Sequence, residues 1–141
     1  MTTLLYNHPV CMNHDMGEWH PEAPARLKAI MAALETEEFT FLHRNEAPKG
    51  TLRQIERVHA PFYVEAVFEN IPNNGHVHLD ADTAMNPFSG EAALRAVGGI
   101  CAAVDAVANG EARNAFCAVR PPGHHAENSA AMGFCLFNNV A

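Results

Sequence analysis

Apolar residues change their spacing along the chain, and this change predicts strands and helices in turn. The short apolar run TLLY, residues 3–6, predicts a buried first strand. Residues 7–24 are rich in His, Pro and Asn and predict a loop. Pro24 then suits the first turn of an amphipathic helix, since proline has no N–H that would need a partner there. The apolar face of this helix holds Leu27, Ile30 and Leu34. The run FTFLH, residues 39–43, predicts a second strand.

Two short helices are expected in the middle of the chain. Residues 51–58 begin with a capping box, in which the Thr51 hydroxyl caps the first turn and Gln54 reaches back to it. A further short helix is predicted over residues 62–68. Residues 70–89 contain the turn signal NNG and predict a loop.

The longest helix is predicted over residues 90–108, with Ser89 as its N-cap and Gly110 just beyond its end. Gly98 and Gly99 lower helix propensity by roughly 1 kcal/mol each relative to alanine. We expect them to allow a neighbouring element to approach closely. The apolar face is expected to consist of Ala93, Ala96, Val97, Ile100, Val104 and Val107.

The run AFCAVR, residues 115–120, predicts a last buried strand and completes the order β, α, β, α, α, β. This alternation predicts an α/β fold built on a mainly parallel sheet. In such sheets, sites form in the loops beyond the carboxyl ends of the strands. The segment RPPGHHAENSAAMGFC, residues 120–135, directly follows the last strand, so we expect a functional site there.

Composition and charge exclude several classes of protein. The net charge is −7 with the nine histidines counted as neutral, and no basic patch exists, which argues against a nucleic-acid binder. No apolar run approaches the roughly 18 residues that a membrane-spanning helix needs. The N-terminal residues also lack the pattern of a signal peptide. The cysteines form no CxxC pair and are expected to be buried, reduced thiols of a cytoplasmic protein. They are Cys11, Cys101, Cys117 and Cys135.

Two adjacent histidines, His124 and His125, are the strongest chemical signal in the chain. The prolines before them, Pro121 and Pro122, each fix a φ angle, and Gly123 permits a turn or a close backbone approach. Imidazole exchanges protons near neutral pH. From the residues alone, two roles are equally favoured: proton transfer beside a metal-bound water, or hydrogen bonding to the backbone within a loop.

A second segment also carries metal-binding residue types. HVHLDAD, residues 76–82, places His76, His78, Asp80 and Asp82 at alternate positions, which share one face on an extended strand. Imidazole and carboxylate are common zinc ligands, so an independent metal site here is an alternative hypothesis. The neighbouring NNG turn favours a solvated loop instead.

The segment VRPPGHHAENSAAMGFCLFNNVA, residues 119–141, closely resembles the signature of the zinc-dependent histone deacetylase superfamily, especially its class II and bacterial branch. Three earlier segments resemble the same family: HPEAPARL at residues 20–27, VHAPFYV at 58–64 and LDADT at 79–83. The resemblance covers essentially the whole chain. It implies an arginase/deacetylase-like, doubly wound fold, of which residues 1–141 form the N-terminal portion of a single domain.

The resemblance also implies roles for individual residues. His125 would be the general base toward water and the acid toward the leaving amine, and His124 would assist electrostatically. Phe134 would form one wall of an acyl-lysine tunnel, whose flat apolar surface suits a lysine stem. The Gly133 carbonyl would accept a hydrogen bond from the substrate amide, and Asp82 would lie on the rim. The implied substrates are acetylated lysine and acetylated polyamine.

A few other residues receive weaker assignments. Ser89 is a second candidate for the rim of the site. Glu22 and Arg26 are expected to be structural, as an ion pair or as loop anchors. Cys135 is expected to be a packed thiol.

The cofactor implied for the complete family domain is Zn²⁺. The family's ligands, an Asp-x-His and a further Asp, follow the histidine pair in sequence, and DADT cannot replace them because it precedes the pair. We therefore expect a truncated deacetylase domain that hydrolyses acetyl-lysine or acetylpolyamine amides when complete. By itself the chain is expected to bind no zinc tightly and to be inactive. The alternative is an inactive fragment that acts as an association module and forms a homodimer through its exposed sheet surface.

Overall fold

The computed structural model describes residues 2–141. Its elements, in chain order, are β1 (Thr3–Asn7), α1 (Pro24–Leu34), β2 (Leu42–Glu46), α2 (Leu52–Ile55), α3 (Pro61–Glu69), β3 (Val77–His78), β4 (Ala84–Met85), α4 (Ser89–Ala108) and β5 (Asn114–Ala118). Short 3₁₀ turns lie at Pro9–Met12 and Glu37–Phe39. The expected alternation of strands and helices is present, and the small antiparallel pair β3–β4 interrupts the predicted loop.

The main sheet has three parallel strands in the order β2–β1–β5. The central strand places Thr3 opposite Leu42 on one side and Asn114 on the other. The predicted α/β fold with a parallel sheet is confirmed. The chain passes from β1 to β2 on one side and then crosses back to β5 on the other. The carboxyl ends of β1 and β5 therefore form the point where strand order reverses, which is where α/β folds bind ligands.

Two apolar clusters stabilise this arrangement. One joins the sheet to the start of α1 and α4 and contains Leu5, Val10, Cys11, Leu27, Ala92 and Ala118. The other packs α2, α3 and α4 against the chain after the histidine pair and contains Ile55, Tyr63, Val64, Val67, Met85, Ala93, Val97, Leu136 and Phe137. The second cluster places the C-terminal segment of the described chain inside the fold, so burial of that segment fixes the loop that precedes it.

The glycines of α4 were predicted to allow a neighbouring element to approach closely, and Gly98 confirms this prediction. A Cβ atom at Gly98 would clash with the Pro48 carbonyl oxygen and with the Gly50 backbone nitrogen, so the chain after β2 crosses the helix at that point. The predicted apolar face is only partly buried. Ala93, Ala96 and Val97 are buried, but Val104 is 61% exposed, because no described residue covers the end of the helix there.

Ser89 has a different role from the one predicted. It is the first residue of α4 and Phe88 is the N-cap. The Ser89 Oγ accepts a hydrogen bond from the Asn86 N–H at 2.8 Å and lies 2.7 Å from His14 Nδ1. Ser89 is also completely buried, so the suggestion that it lies on the rim of the site was wrong.

The second strand begins three residues later than predicted. Residues 37–39 form a 3₁₀ turn, in which the Phe39 N–H donates to the Thr36 carbonyl at 3.0 Å. Phe39 is part of this turn and therefore does not pair with β1. Leu42 is the first residue of the second strand that does. The capping box at Thr51 and Gln54, by contrast, is present as predicted.

Within residues 2–141, no helix has the length and apolar character needed to cross a membrane. All four cysteines are free thiols, and all are buried or half-buried. Burial raises the pKa of the Cys117 thiol to about 11, so it stays protonated near neutral pH.

Candidate active site

The two adjacent histidines lie in the loop that follows β5, at the edge of the sheet where a site was expected. Their ring centroids are 4.3 Å apart and both residues are exposed. They line an open cleft of about 420 Å³. The lining residues are Glu22, Arg26, Pro122, His124, His125, Gly133 and Phe134. Four residues singled out from the sequence for catalysis or substrate binding, His124, His125, Gly133 and Phe134, therefore share one cleft.

A tight turn presses Gly133 against the imidazole of His125. Met132 and Cys135 pair across a two-residue turn, whose central residues Gly133 and Phe134 have φ values of +55° and +72°. Positive φ at both central positions is the geometry of a type I′ hairpin turn, which favours glycine. A Cβ atom at Gly133 would lie 2.8 Å from the His125 Cγ. Glycine is therefore required both by the turn and by the packing of the ring.

Phe134 is fixed at the wall of the cleft through its backbone and its ring. Its N–H donates to the Thr83 Oγ1 at 3.0 Å. Its ring meets the His20 ring edge-to-face, with 4.7 Å between centroids. The Nδ1 of His20 accepts from the Glu22 N–H, so its Nε2 donates to the Asp82 carbonyl oxygen at 2.8 Å. These contacts join the wall of the cleft to the loop before β4.

Asp82 lies next to the cleft but does not line it. Its side chain is exposed and accepts a hydrogen bond from the Thr83 hydroxyl at 3.2 Å. Because the same hydroxyl accepts from Phe134, the Asp82 carboxylate is two hydrogen bonds away from the wall of the cleft. Its role on the rim stays a prediction.

The HVHLDAD segment does not form a metal-binding cluster. The Asp80 Oδ1 accepts from the N–H groups of Asp82 and Thr83, at 2.9 Å and 2.7 Å, and so closes a turn. His76 and His78 are exposed. Across residues 2–141, no three His, Cys, Asp or Glu side chains converge on a point where they could hold a metal ion. The described residues therefore do not by themselves fit a zinc centre, at this segment or at the histidine pair.

A buried ion pair lies beneath the cleft. Arg120 is completely buried, and its Nε and Nη2 each donate to a Glu22 carboxylate oxygen at 2.6 Å. Arg26 adds a further contact to the Glu22 Oε1 at 3.0 Å, so the predicted Glu22–Arg26 pair is present. Burial opposes ionisation of Glu22, but the hydrogen bonds and charge of Arg120 outweigh it and lower the pKa of the carboxyl.

The opposite side of the histidine loop is held by His59, to which sequence reasoning gave no role. Its Nε2 accepts from the Asn138 N–H at 2.8 Å, so its Nδ1 donates to the Asn128 carbonyl at 3.2 Å. The Tyr63 hydroxyl donates to the Leu136 carbonyl at 2.6 Å. The sequence signal that could have identified His59 was the VHAPFYV motif. Its histidine and its tyrosine both contact the segment that follows the histidine pair.

His14 is a second buried histidine that the sequence did not single out. Its Nδ1 lies 2.7 Å from the Ser89 Oγ, which in turn lies 3.0 Å from the Asn86 Oδ1. With a proton on Nδ1, His14 donates to the Ser89 Oγ and the Ser89 hydroxyl donates to the Asn86 Oδ1. The His14 Nε2 is then an acceptor, and it has no partner among the described residues. Burial, helped by the charge of Arg120, lowers the pKa of His14 to about 4.

The sequence and fold match proteins of one family. Residues 20–141 match the model of the histone deacetylase domain. The chain is 34% identical to human histone deacetylase 9 over 98% of its length, and 34% identical to a probable deacetylase of Archaeoglobus fulgidus over 100% of its length. It is 37% identical to a histone deacetylase-like amidohydrolase of Pseudomonas aeruginosa over 86% of its length.

A solved structure shows the same arrangement of the backbone. The crystal structure of the HDA15 HD domain superposes with a TM-score of 0.90 at 32% identity, over 99% of this chain and 41% of that one. This chain spans 16%, 40% and 32% of the human, archaeal and Pseudomonas relatives, respectively. The family match and the shared fold agree with the segments that line the cleft. The chain belongs to the histone deacetylase family.

Proposed function

We propose that the chain contributes part of the active site of a deacetylase that hydrolyses the amide of acetylated lysine or acetylated polyamine. The observation that carries this proposal is the contact between the His125 imidazole and the Gly133–Phe134 turn. It brings a proton-transfer group and an apolar wall into one cleft. Amide hydrolysis of an acylated amine needs both, because the long apolar stem must be held while protons move at its end.

In this proposal each residue of the cleft has one task. His125 takes a proton from the attacking water and returns it to the leaving amine, which is the work of a general base and then a general acid. His124, with its ring 4.3 Å from that of His125, stabilises charge that develops beside it. Phe134 packs against the substrate stem, the Gly133 carbonyl accepts from the substrate amide, and Asp82 gathers the substrate backbone at the rim.

The family is generally zinc-dependent, and we propose that the ion is held by residues outside the segment 1–141. The described residues support this division, because no third His, Cys, Asp or Glu among them converges with the histidine pair on one point, and the Glu22 carboxylate in the same cleft is bonded to Arg120. We further propose that these residues alone bind no zinc tightly and turn over no substrate, and that the protein is cytoplasmic. Metal analysis finding one zinc per chain, together with turnover by residues 1–141, would contradict the division.

The test uses protein expressed from its complete reading frame, supplied with an acetyl-lysine peptide and, separately, with an N-acetylated polyamine. His125→Ala is expected to lower kcat by at least about 100-fold, the range of general acid–base catalysis. His76→Ala is the matched control, since His76 is exposed and lies outside the cleft, and its kcat should stay within about two-fold of the unmodified protein. Equal turnover by the two variants would remove the proposal. The ratio of kcat/KM for the two substrates identifies the preferred one.

A second proposal concerns association, and an apolar groove of about 640 Å³ between α4 and β5 favours it. Val104, Val107 and Val140 line the groove. Apolar area of this kind is normally covered in a soluble protein. We propose that residues 1–141 alone cover it by forming a homodimer. Sedimentation at increasing concentration tests this, and Val104→Glu should shift the equilibrium toward monomer.

A further inference from the structure

Arg120 has an unusually complete set of hydrogen bonds. A guanidinium has five N–H donors and no acceptor. All five find an acceptor here, although the side chain is completely buried. The acceptors are the two carboxylate oxygens of Glu22, the Glu22 carbonyl, the Cys11 carbonyl and the His14 carbonyl, at distances between 2.6 and 3.2 Å. A side chain so fully bonded can occupy one arrangement only.

The acceptors come from segments that surround the cleft. Cys11 and His14 follow β1, and Glu22 lies in the segment that enters α1 and lines the cleft itself. Arg120 stands four residues before His124, at the start of the histidine loop. One side chain therefore ties the carboxyl ends of β1 and β5 to the entry of α1. These are the parts of the fold that meet beneath the two imidazoles.

Stability alone is a poor explanation for such a pair. Removing two charges from water is costly, and well-packed apolar residues in place of a buried ion pair are often equally or more stable. The best-attested use of buried charges is to select one arrangement among several. The two 2.6 Å contacts between the forked guanidinium and the carboxylate are directional in the way that this use requires.

We propose that the Arg120–Glu22 pair is a positioning device for the His124 and His125 imidazoles. It acts through the loop rather than through contact with substrate, since every N–H of Arg120 is already engaged. The proposal rests on the proposed function where it concerns turnover. Where it concerns the orientation of the rings, it stands independently of that function.

Arg120→Lys is the sharpest test, because lysine keeps the charge but cannot form the fork. In protein from the complete reading frame, we expect kcat to fall by about 10- to 100-fold while KM changes by less than about two-fold, since small displacements of catalytic groups cost rates of this size. The imidazole carbon–proton resonances of His124 and His125 should shift in NMR spectra. Those of the exposed His43 and His76 should not.

Arg44→Lys is the matched control, because Arg44 forms an exposed pair with Glu35 at 3.0 Å on β2. It should leave kcat and the resonances of His76, His124 and His125 unchanged; His43 is directly next to Arg44 and is not compared in this control. A folded Arg120→Lys protein with unchanged kcat and unchanged His124 and His125 resonances overturns the proposal. So does a loss of kcat without any shift of those resonances, since the rings would then be undisturbed.

Two further outcomes are also decisive. If Arg120→Lys does not fold, Glu22→Gln replaces it, because the amide keeps the shape of the carboxylate and removes its charge; the same resonances and the same split between kcat and KM are measured. If the unmodified protein turns over neither substrate, the proposed function fails. The positioning proposal is then decided by the resonances alone, which need no substrate.

Discussion

Two segments of the chain, residues 120–138 and residues 76–83, each contain two histidines close together in sequence. The structural surroundings of the two histidine pairs differ. In the segment of residues 120–138, His124 and His125 are exposed, but the backbone on either side is anchored by buried polar groups. In the segment of residues 76–83, His76 and His78 are also exposed, yet the neighbouring Asp80 carboxylate is occupied in closing its own turn. The first segment lines the cleft of about 420 Å³, and the second segment does not line that cleft.

The difference shows that residue types alone do not mark a site. Both segments have side chains suited to metal or proton chemistry, and the alternate spacing of residues 76–82 is the more regular of the two patterns. A functional side chain must be held by neighbours that are themselves fixed. Arg120 and His59 supply such support to the first segment. In the second segment, the buried residue is Thr83 rather than a histidine. Its hydroxyl accepts a hydrogen bond from the Phe134 N–H and so supports the first segment.

The largest effect is expected from Gly133→Ala. Its Cβ would enter the space of the His125 ring at 2.8 Å, and alanine is strained at a φ of +55°. We expect kcat to fall by about 100-fold and the free energy of unfolding to fall by about 2 to 4 kcal/mol, from strain and overpacking together. Steady-state kinetics and urea denaturation measure the two quantities.

Gly75→Ala is the matched control in the other region. Gly75 has a φ of +66°, but no atom lies within 4 Å of the Cβ it would gain. Its strain alone should lower the free energy of unfolding by about 1 kcal/mol and leave kcat unchanged. If Gly133→Ala and Gly75→Ala lower kcat by the same factor, the contact between Gly133 and the His125 ring does not contribute to activity.

The second expected effect is loss of stability in His59→Ala. His59 is 2% exposed, and removing its ring leaves a cavity and two unpaired backbone groups, the Asn138 N–H and the Asn128 carbonyl. We expect a loss of about 3 to 4 kcal/mol in urea denaturation. His78→Ala, at an exposed position, should change stability by less than about 0.5 kcal/mol. Similar losses in both would contradict the contrast between the regions.

The sequence predicted the sheet and the place of the histidine pair because both depend on local patterns. Apolar runs defined β1 and β5, and a motif directly after β5 had to lie at the carboxyl edge of a parallel sheet. The tasks of Arg120, His59 and His14 were not predictable in this way. Their partners lie between 69 and 109 residues away along the chain, and only the folded structure brings them together.

The wrong predictions have local physical causes as well. Phe39 was assigned to a strand as the first residue of the run FTFLH, but it belongs to the 3₁₀ turn that follows α1. Val104 and Val107 were placed on the apolar face of α4 from helical spacing, and they are exposed because that spacing shows that a face is apolar but not that something covers it. Ser89 has the residue type of an N-cap, yet its hydroxyl is engaged by Asn86 and His14 instead.

The third effect is a dependence of stability on pH that originates beneath the first segment. The folded protein holds the His14 pKa at about 4, against an ordinary value of 6.5. Between those values the unfolded chain binds a proton that the folded chain does not, so stability falls as pH drops through this window. The full contribution of His14 is about 3 kcal/mol. The depressed pKa of Glu22 adds a further loss at more acidic pH.

His14→Asn tests the origin of that slope. The amide can still hydrogen-bond to the Ser89 Oγ and does not titrate, so urea denaturation from about pH 7 to about pH 4.5 should show a flatter dependence than in the unmodified protein. Equal slopes in the two proteins would mean that the acid sensitivity arises elsewhere, and that His14 does not remain neutral in the folded state.

The smallest effect concerns Thr83, through which the second segment supports the first. Thr83→Val keeps the shape of the side chain but removes the acceptor of the Phe134 N–H. Thr83 is completely buried, so we expect the free energy of unfolding to fall by about 1 to 2 kcal/mol. Thr83→Ser keeps the hydroxyl and should lose less than Thr83→Val, because only a methyl group is removed. If serine destabilises more than valine in urea denaturation, packing of the methyl group rather than the hydrogen bond joins the two regions. The segment would then act on the cleft only through the His20 contact with Asp82.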